Sequence, residues 1–290
     1  MSSESTLTKT FCENIVNMGP EQLSPEVVAS VRELVLDALA VAVAGSAKMR
    51  APGILAEDCR KRACSPSASI LGFGFQSSAE QAAYVNAASM RALDYEPMWS
   101  PFNHAMSTTL PAALALAEDT GADGMAVCLA VVKGLEVQGW IRQASRLFDL
   151  EKQLFHPPAQ VGPMSSTVSA SSILGLDATQ LRHALGLAAS RCGGVMANVG
   201  TMATCLHSAY AARAGVECSQ LAKMDFEADP NIFEHPKGYQ LLFEEFAVED
   251  LLKFGSQFRI IDPGYAIKLF PSCYATHWPI CCGLDLHGKV

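Results

Sequence analysis

Four short stretches of this 290-residue chain gather carboxylates, imidazoles and an ammonium at what read as helix ends. Leu93-Asp-Tyr-Glu-Pro-Met-Trp-Ser-Pro-Phe-Asn-His104 places Asp94, Glu96 and His104 in a proline-containing loop after a helix. Such loops hold much of the chemistry of helical enzymes. His156 precedes Pro157 and Pro158, which stiffen its backbone ahead of a helix start. An imidazole placed there suits anion binding or proton transfer. In Gly200-Thr-Met-Ala-Thr-Cys-Leu-His207, Thr201 and Thr204 are able to cap a helix with His207 in its first turn. Lys268 lies among apolar residues in a possible strand, and His277 follows in an expected helix. Taken singly, each has a plain structural explanation: a turn aspartate, an interhelical turn, a histidine packed on glycines, a snorkelling lysine. Taken together, these groups suit acid–base work and charge holding on a small anion.

Competing chemistries leave no mark. The ten cysteines include no CxxC pair, and no Cys/His cluster has zinc spacing, so no metal site is expected. GLAASRCGG lacks the GxSxG pattern, and GFGF is not followed by a GxGxxG fingerprint, so no nucleotide cofactor is expected. A formal net charge of −8 argues against nucleic acid, which needs a basic face. The longest apolar stretch, Leu34 to Gly45, contains Asp37 and is too short to cross a bilayer, so no membrane partner is expected. The N-terminal MSSESTLTKTF has neither the basic start of a secretory leader nor the arginines of a transit peptide. A reduced thiol set and a cytoplasmic setting are expected, with a mitochondrial one still open.

The elements that must position these groups read as helices. Ser24-Pro25-Glu26 is an N-cap, an N1 proline and a first-turn acid, opening a helix expected to stop near Gly45. A second helix is expected over 52–62, and Ser69 to Phe75 reads as a short hairpin strand or an extended connector. Ser77 or Ser78 with Glu80 or Gln81 resembles a capping box for a helix over 79–93. Further helices are expected at about 108–120, 122–147, 160–174, 178–190, 205–223 and 240–253. Gln257 to Ile261 is expected to start a strand, with Asp262-Pro-Gly264 as a turn. Half the residues are hydrophobic, and runs such as AALALAE and AYAARAG are rich in small residues. The fold class is therefore mainly α, a tightly packed multi-helix assembly.

In this order, the stretches resemble the MmgE/PrpD family. The likeness runs from about Glu13 to Pro279 through LVLDALAVAVAG, ALDY with His104, KGLEVQGWI and FHPPAQVG. It continues through ILGLDATQLRHALGLAAS, LHSAYAARAG and KLFPSCYATHW. The resemblance implies a large all-helical domain over 1–255 and the start of an α/β lid over 256–290, with the rest of the lid missing. It implies a homodimer without metal or organic cofactor and lyase chemistry on a small di- or tricarboxylate. GLEVQG, FHPP and MAN look nearest to the cis-aconitate decarboxylase branch, with 2-methylcitrate-type dehydration or isomerisation on the same scaffold as alternatives. Asp94, His104, His156 and Lys268 are then the catalytic candidates. His104 and His156 would act as the acid–base pair or as charge holders. Lys268 would neutralise a carboxylate or donate a proton, and Asp94 would orient a cation or imidazole. His207 and His277 would support the pocket.

The departures fall inside these motifs. Pro97 and Met98 replace polar groups after Asp94, so Met98 and Trp99 are expected to meet an apolar part of the substrate. The family's TKPLH becomes Thr204-Cys-Leu-His207, which puts Thr204, a candidate substrate contact, at the lysine position. Losing that ammonium removes a charge-assisted contact of about 1.5–3 kcal/mol. A catalytically impaired relative serving as a dimer partner is the third alternative.

Overall fold

The computed structural model describes residues 6–99, 101–146 and 152–288. Helices dominate, as expected. The first, α1 (Leu7–Asn17), buries Thr8, Phe11, Cys12 and Ile15 along one face. Ser24 accepts from the Val27 N–H at 3.3 Å and opens α2 (Pro25–Lys48). This helix runs past Gly45 rather than stopping there. A Cβ at Gly45 would stand 2.0 Å from the Ser89 carbonyl oxygen, so this glycine permits close helix approach instead of ending the helix.

After α3 (Arg50–Arg60) comes a hairpin, β1 (Ala68–Ile70) against β2 (Phe75–Ser77), antiparallel with Ala68 opposite Ser77. Then follows α4 (Ala79–Arg91), where Ser78 takes the cap position without a side-chain hydrogen bond, so the expected capping box does not form. The bundle continues with α5 (Met106–Thr120), α6 (Gly124–Ala144), the single turn α7 (Pro157–Gln160), α8 (Gly162–Leu174), α9 (Ala178–Ala189) and α10 (Ala203–Lys223). At the core, α8 packs against α5, α6, α9 and α10, and α10 also packs on α4. Small residues allow this: a Cβ on Gly215 would lie 2.5 Å from the Ser166 carbonyl carbon. Buried hydroxyls bridge the helices, as in Thr109 to Ser165 at 2.7 Å and Ser171 to Ser219 at 2.9 Å. By length and composition α6 could cross a membrane, yet 67% of its apolar window is buried inside the bundle. It behaves as a core helix.

Two expected elements differ. The helix over 240–253 is instead two 3-10 turns, Tyr239–Leu242 and Val248–Lys253. Between them the Ala247 N–H donates to the Ala144 carbonyl at the end of α6, at 2.9 Å, so it is diverted from a helical ladder. The strand over 257–261 is absent as well. Buried Glu136 accepts from the N–H groups of Arg259 and Ile260, both at 2.9 Å, and curls that segment into turns. Burial pushes the Glu136 carboxyl up to about 7, against the pull of those two N–H groups and of the Arg259 charge. The strand forms later, as β4 (Tyr265–Ala266), antiparallel to β3 (Met98–Trp99) with Met98 opposite Ala266. Lys268 therefore lies two residues beyond a strand rather than within one. His277 opens α11 (His277–His287), as expected.

Candidate active site

Where α4 ends, the chain turns through Asp94, whose φ of 50° is left-handed. Aspartate tolerates that region better than most residues, and such strained positions concentrate at functional sites. One oxygen, Asp94 Oδ1, meets three partners: Arg91 Nη1 at 3.0 Å, His104 Nε2 at 3.1 Å and Lys268 Nζ at 2.8 Å. Burial alone would raise the Asp94 pKa, but the bond from His104 and the charges of Arg91 and Lys268 prevail. They hold the carboxyl well below the usual range.

The ribbon of β3 and β4 explains how Lys268 reaches a partner 174 residues away. Its ammonium donates to the Asp94 carbonyl, to Asp94 Oδ1 and to the Ser272 carbonyl, at 2.5, 2.8 and 3.0 Å. Burial lowers its pKa, and the Asp94 bond opposes that. All three N–H donors are thus used behind Asp94.

His104 stands between two carboxylates. Its Nδ1 lies 3.4 Å from Glu96 Oε1, without hydrogen-bond alignment. The fully buried Glu96 accepts from the Ser107 N–H in the first turn of α5 at 2.6 Å, which fixes it against the positive end of that helix.

The second cluster is an imidazole pair. His156 is the cap residue of α7, its backbone set by Pro157 and by an N–H bond to the Gly194 carbonyl at 2.8 Å. Its Nδ1 lies 2.9 Å from His207 Nδ1, and His207 comes from the second turn of α10. Burial pushes the His156 pKa down to about 2, aided by the positive charges of Arg91 and His104 and by His207. Burial and Arg91 lower His207 too. Both rings are therefore neutral near pH 7. A neutral pair joined through Nδ1 holds one N–H in the bond, leaving one bare Nε2 and one Nε2–H. Close approach makes this possible: Gly194, at φ 91°, leaves its Cβ position 3.3 Å from the His207 ring.

Both groups border one cavity of about 640 Å³, with Asp94, His104 and His156 in its wall. Met98, Phe102 and Met196 supply apolar wall, and Thr204 lies beside the 196–202 loop. Among the described residues, no group of three His, Cys, Asp or Glu side chains is placed to hold a metal ion.

Comparison with known proteins agrees with this architecture. A family model, the MmgE/PrpD N-terminal domain, matches residues 9–249. This chain belongs to the MmgE/PrpD family. A cis-aconitate decarboxylase of Mus musculus is 29% identical over 280 residues, covering 94% of this chain and 57% of that protein. Its namesake in Homo sapiens is 33% identical over 203 residues, covering 68% and 42%. One from Aspergillus terreus is 26% identical over 309 residues, covering 99% and 61%. The chain spans about half the length of the first two relatives.

Within this MmgE/PrpD chain, the residues singled out in the sequence separate into wall and support. Asp94, Met98, His104, His156 and Thr204 line the cavity. Lys268, His207 and His277 stand one layer behind. His277 Nε2 lies 3.1 Å from the Phe270 carbonyl oxygen, and its ring packs on Tyr274, which does line the cavity. Trp99 does not reach the cavity; its ring packs on Tyr265 at 4.3 Å. Thr204 works as a loop tie, donating to the Asn198 carbonyl at 3.0 Å and accepting from the Gly200 N–H at 2.9 Å.

Sequence reasoning missed Arg91, Asn103 and Gln153, all in the wall. Arg91 had a signal. It ends the every-fourth-residue series Ala79, Ala83, Ala87, all buried, so an arginine continues an inward stripe.

Proposed function

We propose that this chain is a lyase that acts on a small di- or tricarboxylate by acid–base catalysis without a cofactor. Its chemistry is nearest to decarboxylation of cis-aconitate. The observation that carries the reading is one cavity flanked by a compensated Asp94–His104 cluster and a neutral His156–His207 pair. Loss of CO2 breaks a C–C bond and leaves its electron pair on carbon, so a proton must be delivered and the developing charge held. His156, neutral and tied to a second imidazole, is the proposed proton carrier at Nε2. His104, fixed between Asp94 and Glu96, holds substrate charge and is the proposed partner in proton transfer. Lys268 acts through Asp94 as a positioning residue, and His207 and His277 support His156 and Tyr274. Dehydration of a 2-methylcitrate-like acid, or isomerisation, needs the same proton movements, and Met98 in the wall favours a substrate with an apolar group.

The division into a helical domain over 1–255 and the beginning of a lid over 256–290 belongs to the same proposal, supported by the family match ending at 249. So does a homodimer, supported by exposed Val195, Met202 and Tyr210. Ten free cysteines support a cytoplasmic setting.

One observation favours a second reading, a catalytically impaired relative that serves as a dimer partner. Thr204 ties a loop and brings no ammonium to the cavity. Mass-spectrometric assay of the chain with cis-aconitate, 2-methylcitrate and longer alkylcitrates separates the two. Product from any of them sinks the second reading. Binding without turnover of all three sinks the first.

A further inference from the structure

The cavity wall contains an arginine with a donor left unmade. Arg91 is 7% exposed, and among the described residues its one hydrogen bond runs from Nη1 to Asp94 Oδ1 at 3.0 Å. Its Nε is closed to solvent, whereas Nη2 is not and has no partner among the described residues. The side chain lines the cavity. Donors left unmade on so enclosed a group are costly, and a native fold keeps few of them without a reason. An unmade Nη2 at the cavity indicates that a ligand completes it.

We propose that Arg91 binds a carboxylate of the ligand directly and so supplies the positive charge that Thr204 does not. The inference rests on the reading of the site as one for small polycarboxylates. The geometry is suited to it. Nη1 is held by Asp94, so the guanidinium plane is fixed, while Nη2 is left to donate. Arginine matches carboxylates through paired parallel N–H donors, and a pre-oriented fork loses little freedom on binding. Position agrees as well: the Arg91 charge acts on Asp94, His156, His207 and Lys268, which puts it near all four. A carboxylate on Arg91 would therefore lie within reach of the groups proposed to move protons.

The test uses propane-1,2,3-tricarboxylate, a non-reacting triacid, with the chain as it stands. Calorimetry is expected to show that Arg91→Met weakens its binding about 10- to 100-fold. Arg91→Lys, which keeps the charge but not the fork, falls between wild type and Arg91→Met. Because Arg91 also braces Asp94, a readout blind to bracing is added. The arginine Nε–H resonance that disappears in Arg91→Lys is followed by NMR, and it is expected to move as the triacid saturates the unaltered protein. This signal reports Arg91 even if Arg91→Met does not fold. Triacid binding that leaves that resonance in place, or folded Arg91→Met binding within twofold of wild type, overturns this inference and leaves the proposed function standing. No binding of the triacid by the unaltered chain overturns both.

Discussion

In one part of the cavity wall Asp94 is bonded to Arg91, His104 and Lys268; in another, the His156 ring pairs, among the described residues, with His207. The first cluster is charged and compensated, with Lys268 fully enclosed and its donors all used. The second is neutral, because burial and the neighbouring positive charges disfavour protonation. A compensated cluster keeps its geometry while substrate charge shifts beside it, since its dipoles are fixed in advance. A neutral imidazole pair can exchange which ring nitrogen carries the proton. The contrast assigns charge holding to one cluster and proton movement to the other.

The comparison breaks most severely at Asp94. Asp94→Asn leaves the enclosed Lys268 ammonium and Arg91 without their shared counter-charge, and removing one partner of such a cluster costs about 3–5 kcal/mol. Urea denaturation should show that loss. Lys268→Met should cost less, because Asp94 retains Arg91 and His104. Equal losses would mean that Asp94 is not the hub.

Acid sharpens the contrast. A histidine whose folded pKa is depressed stabilises the fold fully above its unfolded value, about 6.5, and loses that contribution as pH falls toward the folded value. The slope is at most about 1.4 kcal/mol per pH unit for each histidine. Asp94, also depressed, begins to lose its contribution only below its unfolded value of about 4. Melting temperature should therefore fall from about pH 6.5 downward and steepen below about pH 4. His156→Gln should flatten the curve from about pH 6.5 down to about pH 2, leaving the added steepness below about pH 4 that Asp94 contributes. A melting curve unchanged by His156→Gln between pH 6.5 and 4 would place the acid sensitivity elsewhere.

The smallest effect concerns the 196–202 loop, which also lines the cavity. Thr204→Val removes two hydrogen bonds, to Asn198 and Gly200, and should cost about 1–2 kcal/mol. Thr204→Lys should lose the same tie while adding positive charge to the cavity, so stability should fall as triacid affinity rises. A fall in both would assign Thr204 to the loop alone.

Much of this site is legible in the sequence. Asp94, His104 and His156 were visible because polar residues at proline-stiffened helix ends interrupt an apolar pattern. The bundle was visible because α9 keeps a buried stripe at helical spacing and α8 and α10 are rich in small residues. Arg91 was hidden by the alanine series it terminates, which reads as core. The bond between Lys268 and Asp94 was hidden because it depends on pairing two-residue strands far apart in the chain. The turns over 239–261 were hidden because their amides answer to Ala144 and Glu136, partners that local propensity does not show.

The contrast between the clusters is most directly read from the imidazole nitrogens themselves. Nitrogen-15 NMR of histidine-labelled protein, assigned with His156→Gln, should show His156 neutral at pH 5, with its Nδ1 signal coupled to that of His207. A His156 ring that titrates near pH 6.5 would contradict the account, because the second cluster would then be charged like the first.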